Sequence, residues 1–459
     1  MASLQKRKTK AGIKYVVRYD YYDNQGERHQ KWDEFTRKAD AERFKKSVEY
    51  KKLTNDFIIP SSETVKDFFE NWIVIHAQSN WQCAAYDHAQ RLMDSHILPA
   101  LGHMNLQDVT AKTIEQFINN LKFKKCTGVR YLKLSEEDIP CLSASTIRHV
   151  HELLRMGFSK AVEWKKISES PVKCKKPKKR KKKVLIWDED EVRLALGDIE
   201  DELLHLAVHI AFICSLRIGE VLGFGIDCID WEEPSIYIQK TLQRVKKSLF
   251  EKLPRNEDTI VIPSKKKDTS TVLILKPPKT EESERKIYIT QELKQEILKR
   301  IEKVENNKKR MGEKYVDYGL LFSSEWGYPM ESSVMERKFN KWKSNTKHDL
   351  PSVVFHGIRH SSTTYKLALT GADVKAVQGD TGHTTAEMVL NCYSHIQDKR
   401  RKNMRDMIEK DFYPKSEETL NKIPKAFSEE DIKKMDCSEE TKTFLLMLLN
   451  AQNDTNCTK

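Results

Sequence analysis

Five short stretches of the sequence hold residues suited to phosphate chemistry. Leu216-Arg217-Ile218-Gly219-Glu220 sets an arginine directly after a strongly apolar run, with a glutamate three residues on. A charge in that position is half buried and needs a partner. His356-Gly357-Ile358-Arg359-His360 puts His356 and Arg359 on one face of a helix. Gly382-His383 is followed ten residues later by Tyr393, within Cys392-Tyr393-Ser394-His395. Lys279 occupies the turn Pro277-Pro278-Lys279-Thr280. The set consists of cationic and neutral donors, with no paired carboxylate for Mg²⁺. Such donors suit a phosphodiester whose negative charge grows in the transition state. The arginines would take non-bridging oxygens in bidentate fashion. A tyrosine of ordinary pKa, about 10, is a poor nucleophile at neutral pH, but between two guanidinium groups its phenolate is favoured. A lysine on a hairpin tip suits delivery of a proton to a leaving alkoxide.

Each residue also has a plainer explanation. A lone arginine at a helix end is usually structural, and a lone tyrosine is usually core. His356 and His360 at i, i+4 have zinc-ligand spacing. However, HGIRH lacks the glutamate of HExxH, and the adjacent guanidinium repels a metal. No metal and no cofactor is expected.

The elements that must position these residues belong to the stretch 185–410. It opens at Asp188 with an acid three residues on, a helix-capping pattern. Leu203 to Cys214 reads as a buried helix, and Ser235–Gln239 and Thr259–Pro263 read as strands. Val272–Leu275 and Lys286–Ile289 flank the Pro277–Thr280 turn and predict a hairpin. Thr290 caps a long helix to about Lys309, and helices dominate to about Glu409. Upstream, residues 1–60 predict a small basic unit. It has strands around Lys14–Tyr22 and Arg28–Trp32, a turn at Asp23–Gly26, and a helix over Ala39–Leu53. Its exposed Lys14, Arg18 and Lys31 are candidate DNA contacts. Residues 61–170 predict four helices: one from the Thr64 cap with Phe68, Phe69, Trp72 and Ile73 inward, then Tyr86–Ile97, Ala111–Leu121 and Ser145–Trp164. A basic linker (171–184) carries Lys175, Lys178 and Arg180 in an unbroken charge run. It reads as a solvated tether, a phosphate-contacting strap or a nuclear localisation signal. The tail, 411–459, includes an apolar segment at Thr441–Leu449, suited to docking on this chain or a neighbour. The fold class expected is multidomain, mainly α with small β-sheets (α+β).

Composition narrows the partners. The 459 residues hold 81 Lys+Arg against 68 Asp+Glu, a formal charge of +13. This balance favours a polyanionic partner. No run of about 18 apolar residues is present, so no spanning helix and no membrane partner is expected. The basic start lacks the apolar stretch of a secretory signal. Nine scattered cysteines without a CxxC pair fit free thiols in a reducing compartment.

Taken in order, Arg217 in LRIGE, Lys279 in PPKT, HGIRH at 356–360, TGH at 381–383 and Tyr393 in CYSH resemble the tyrosine recombinase (phage integrase) family. Two departures are Cys214-Ser215, where the family often has Thr-Gly, and Thr381, where it often has Leu. The stretch 244–270 is also longer than the usual link to the lysine hairpin, and Lys276 and Lys286 lie close to Lys279. The resemblance implies that Tyr393 attacks the scissile phosphate to give a 3′-phosphotyrosyl link. Arg217, Arg359, His356 and His383 would bind that phosphate, Lys279 would protonate the leaving oxygen, and Glu220 and His360 would support them. It implies an integrase of a mobile element, a homotetramer on double-stranded DNA. The stretch 1–60 resembles an arm-site-binding domain and 61–170 a helical core-binding domain, with accessory DNA-bending or directionality factors and a cytoplasmic, nucleoid-associated location. Two alternatives stay open: a non-catalytic architectural or regulatory DNA-binding protein, and a type IB topoisomerase-like enzyme.

Overall fold

The computed structural model describes every residue except 1, 10–11, 23–25, 55, 129–130, 179–183, 254–256, 265–267, 279–282, 394–403, 410–428, 435–437, 440, 444–445 and 448–459; for 391–393, 429 and 431 it describes the backbone alone. The chain divides into two compact units: Met1–Ser362 with Gly379–Thr384, and Thr363–Gln378 with Thr385–Lys459.

The first unit begins with a three-stranded antiparallel sheet, β1 (Ser3–Thr9), β2 (Gly12–Tyr22) and β3 (Arg28–Phe35), with β2 central. Helix α1 (Lys38–Leu53) covers one face. Val17 and Tyr19 of β2 meet Ala41 and Val48 of α1 there. The strand alternation sets the other face. Register pairs Arg18 with Trp32, Lys14 with Arg7 and Tyr22 with Arg28, so these side chains share the open face with Asp20 and Glu34. Lys31 pairs with Tyr19 and so points to the helix-covered side. It does not join Lys14 and Arg18, because one residue of offset reverses the face.

Next come α2 (Val65–Asn80), α3 (Cys83–Leu92) with a π-turn at Met93–Ile97, α4 (Leu98–Leu101), α5 (Ala111–Leu121) and α6 (Ala144–Glu163). The Thr64 hydroxyl accepts from the Asp67 N–H, and the Asp67 carboxylate accepts from the Thr64 N–H, each at 3.1 Å. This reciprocal cap starts α2 so that Phe68, Phe69, Trp72 and Ile73 all turn inward. At Gly157 of α6 a Cβ atom would lie 2.5 Å from the Phe69 ring, so only glycine lets that ring lie on the helix backbone.

The rest of the first unit is built from helices and two small sheets. The helices are α7 (Glu189–Asp198), α8 (Glu202–Ile213), α9 (Ile218–Leu222), α10 (Lys247–Phe250), α11 (Gln291–Met311), α12 (Ser332–Asn345) and the start of α13 (Phe355–Leu369). Helix α8 is apolar nearly all round and buried accordingly. One sheet has the order β4 (Ile229–Asp230), β5 (Ser235–Ile238), β9 (Arg285–Tyr288); the other β6 (Thr241–Lys246), β8 (Thr271–Lys276), β7 (Ile260–Ile262). The expected hairpin of 272–275 with 286–289 does not form. Instead β9 pairs with β5, and β8 pairs with β6. The near-continuous run β5–β6 changes partner at residues 239–240, so β8, which ends at Lys276, and β9, which begins at Arg285, lie in different sheets. The long 244–270 stretch has a use of its own: Leu249 and Leu253 bury into the α2–α6 core, and Lys246 pairs with Asp87 at 2.7 Å.

In the second unit, Leu367 of α13, Val377 of α14 (Val374–Thr381) and Val389 of α15 (Ala386–Tyr393) form one small core. Of the apolar segment Thr441–Leu449, residues 444–445 and 448–449 lie outside the described residues. No helix among the described residues is long and apolar enough to cross a membrane.

Candidate active site

Helix α8 ends at Ile213, and the chain turns sharply before α9. Ser215 makes that turn with φ of +52°, a left-handed conformation that glycine adopts freely and serine at a cost of about 1–2 kcal/mol. Two contacts offset the cost. The Ser215 hydroxyl meets the Ser362 hydroxyl at 2.6 Å, and its carbonyl accepts from Arg359 Nη1 at 2.5 Å. Arg217 then stands at the mouth of α9. Its N–H donates to Glu220 Oε2 at 3.0 Å, and its Nη1 donates to Glu220 Oε1 at 2.6 Å.

Glu220 is the hub of the site. Its side chain is 3% exposed, and it faces three guanidinium groups. Besides Arg217, Arg285 Nη2 reaches Oε2 at 3.2 Å, and Arg359 Nη1 lies 3.8 Å from the same oxygen. Burial opposes ionisation of this carboxyl, but Arg285, Arg217 and Arg359 together hold it below the usual carboxylate range. Arg285 and Arg359 are buried, whereas the Arg217 side chain is 37% exposed.

The turn after α14 is tied to the same arginines. Arg359 Nη2 donates to the Thr381 carbonyl at 2.7 Å, Arg285 Nε to the Asp380 carbonyl at 3.0 Å, and Arg217 Nη2 to the Gly382 carbonyl at 3.5 Å. Gly382 has φ of +63°, and a Cβ there would lie 2.9 Å from Arg285 Nη1. Both facts require glycine directly before His383. His383 is buried, and its Nδ1 shares a 2.6 Å hydrogen bond with the Thr381 hydroxyl. The threonine that departs from the family pattern thus fixes the ring. Burial first, then Arg359, Arg217, His360 and Arg285, push the His383 pKa down to about 3. His356 is more exposed, on α13, its ring perpendicular to that of His360 at 4.9 Å. Desolvation and the charges of Arg359 and Arg217 lower its pKa too. The same two arginines therefore act on both histidines.

Arg217, His356, Arg359, His383, Glu220 and His360 are thus brought to one locality of the first unit. Helix α15 ends at Tyr393, whose side chain lies outside the described residues, as do Lys279 and Arg180. The two neighbouring lysines are engaged elsewhere: Lys276 Nζ donates to Gln82 Oε1 at 2.6 Å, and Lys286 Nζ to Glu233 Oε2 at 2.5 Å. Lys175 and Lys178 are exposed, and Lys14 is paired with Glu34 at 2.6 Å. Sequence reasoning missed Arg285. Its signal is the alternation of β9, in which Arg285 and Ile287 are buried and Lys286 and Tyr288 exposed.

Comparison with known proteins places this geometry in a family. Residues 187–400 match the phage integrase family, and residues 64–122 match the phage integrase N-terminal SAM-like domain. Together these cover more than half of the chain, and the chain belongs to the phage integrase family. It is 24% identical over 271 residues to a XerC-like tyrosine recombinase of Caldanaerobacter subterraneus, covering 57% of this chain and 65% of that protein. It is 28% identical over 211 residues to the integrase of Staphylococcus phage L54a, covering 45% of this chain and 52% of that protein. The chain thus spans between half and two thirds of the length of these relatives. The Tn1549 transposon integrase, solved in complex with a circular intermediate DNA, shares the fold at a TM-score of 0.56. The sequence identity is 21%, covering 75% of this chain and 100% of that one.

Two outcomes follow from the site. Glu220→Gln leaves three guanidinium groups without their counter-charge and costs about 3–5 kcal/mol of stability, read by denaturant unfolding. Because His383 is held neutral, the unfolded chain, with an ordinary histidine pKa of about 6.5, binds the extra proton between pH 6.5 and about 3. The His383 contribution to stability therefore falls as pH falls through that window. Imidazole ¹⁵N shifts of the folded protein will show His383 neutral from pH 8 down to pH 5.

Proposed function

We propose that this protein is the integrase of a mobile element, a site-specific recombinase that breaks and rejoins double-stranded DNA. The observation that carries the reading is the buried Glu220 carboxylate gathering Arg217, Arg285 and Arg359 beside two histidines that burial and these charges hold neutral. One carboxylate against three guanidiniums leaves a surplus of positive charge, which suits a phosphodiester. Arg217, the exposed member, would hold non-bridging oxygens, with the buried Arg359 adding its positive charge behind them and His356 and His383 as neutral hydrogen-bond donors. Tyr393, its phenol proton given up to solvent under the guanidinium charges, attacks phosphorus through Oη, the bond to the 5′ oxygen breaks, and Lys279 gives the departing oxygen its proton. The phosphotyrosine keeps the energy of the broken bond, so a 5′-hydroxyl from a partner strand reseals the DNA by the reverse step. Engagement of Lys276 and Lys286 with other side chains supports Lys279 in this role.

The DNA contacts follow from charge and exposure. The stretch 61–170, with Lys175 and Lys178 on the linker beyond it, would hold the core site. The open face of the N-terminal sheet, with Arg7, Lys14, Arg18, Arg28 and Trp32, would hold a second, arm-type site. Four copies acting on two DNA sites would complete the exchange, with accessory bending or directionality factors setting its direction.

The test is trapping on a nicked substrate that loses its leaving strand. Wild-type protein is expected to form a covalent adduct at the 3′ end of the cut. Tyr393→Phe is expected to bind the same DNA within about twofold and form none. Equal adduct with both proteins, or none with either, would overturn the assignment.

A further inference from the structure

Away from the arginine cluster, α8 and α11 carry a second group of ligand-type side chains. His205 and His209 stand one turn apart on α8, and Glu296 faces them from α11. One donor atom from each residue lies within 4.8 Å of the other two. His205 Nε2 is 3.4 Å from Glu296 Oε1, and His209 Nδ1 is 3.1 Å from Glu296 Oε2. A tetrahedral ion with bonds of about 2.1 Å holds its ligand atoms about 3.4 Å apart, close to the two histidine–carboxylate separations, each of which runs to a different oxygen of Glu296.

Hydrogen-bond bookkeeping points to an occupant. His205 Nδ1 lies 2.9 Å from the Leu196 carbonyl. A carbonyl has no proton to give, so Nδ1 must be the N–H donor. In the neutral ring Nε2 then carries a lone pair aimed at a carboxylate oxygen, and two acceptors face each other. Something positive belongs between them, either a second ring proton that makes an ion pair with Glu296 or a metal ion. Fixing Nδ1–H on a backbone carbonyl is also the usual way a protein orients a metal-ligating histidine.

The surroundings admit a cation. His205 and Glu296 open on a cleft of about 570 Å³ lined also by Glu200, Glu202, Lys299, Arg300, Glu302 and Lys303. Arg300 is turned away, donating to the Leu321 and Ser323 carbonyls at 2.9 and 2.6 Å. Lys303 is paired with Glu202. The three acidic side chains balance the three basic ones, and two of the basic groups, Arg300 and Lys303, are already engaged.

We propose that His205, His209 and Glu296 bind one divalent transition-metal ion of the zinc class, with water completing the tetrahedron. Two imidazoles select against Mg²⁺ and Ca²⁺. The ion would clamp α8, the helix that leads into Ser215 and Arg217, onto α11. Neither the recombinase reading nor the phosphate site is needed for this inference.

The experiment uses the full chain stripped with a chelator and then titrated with Zn²⁺ against a chromophoric competitor. Co²⁺ is used in parallel to read geometry from its visible absorption. One equivalent bound, with tetrahedral Co²⁺ bands and a rise in Tm on adding Zn²⁺, is the expected result. Glu296→Gln and His209→Gln, each confirmed folded by circular dichroism, should weaken binding by about 100-fold or more and abolish the Tm rise. Failure of folded wild-type protein to bind either ion would show that a proton alone bridges His205 and Glu296, and would overturn the proposal. So would binding that both variants retain.

Discussion

One buried carboxylate holds the site together. Three guanidinium groups cannot share a dry pocket without counter-charge, and Glu220 supplies it at 2.6, 3.2 and 3.8 Å. Removing charges from water is costly unless the geometry is good and the remaining donors are satisfied. Here they are satisfied by backbone. Arg359 and Arg285 spend their other N–H groups on the carbonyls of Ser215, Thr381, Asp380 and Ser283. The arginines are therefore both structure and reagent: the buried pair ties the turns at 214–216 and 380–383 together, and the more exposed Arg217 is left for a ligand.

That arrangement explains backbone choices that look arbitrary in sequence. Ser215 accepts a left-handed conformation because its carbonyl must face Arg359. Gly382 has no alternative, since both its φ and the closeness of Arg285 forbid a side chain. Thr381 uses its hydroxyl on His383 and its carbonyl on Arg359, so one residue positions two members of the group. The change of strand partner at 239–240 delivers Arg285 inward, because β9 pairs with β5 in the register that places Arg285 opposite the buried Ile238.

Much of this could be read from the sequence, for local reasons. The caps at Thr64 and Asp188, the inward faces of α2 and α6 and the apolar α8 all follow from side-chain periodicity and short-range hydrogen bonds. The motifs around Arg217, Arg359 and His383 were legible because their residue types are unusual where they stand. Strand β1 was not legible, since SLQKRKT has no apolar alternation and is held mainly by pairing with β2. The pairing of β9 with β5 was hidden for the same reason: it joins residues about fifty apart, whereas the Pro277-Pro278 turn suggested a neighbour. Arg285 was missed because a buried arginine and an exposed one are the same letter, and only a distant Glu220 separates them. Lys31 was placed with Lys14 and Arg18 by composition, which carries no register.

The central claim is that this surplus of positive charge exists to neutralise one phosphodiester. It is tested most directly by removing charge from the DNA. A nicked substrate with a methylphosphonate at the scissile position lacks one anionic oxygen. Arg217→Ala should be defective on ordinary phosphate and regain cleavage on the methylphosphonate, because the missing cation is no longer required. Equal failure of Arg217→Ala on both substrates, with wild type active on phosphate, would contradict the account.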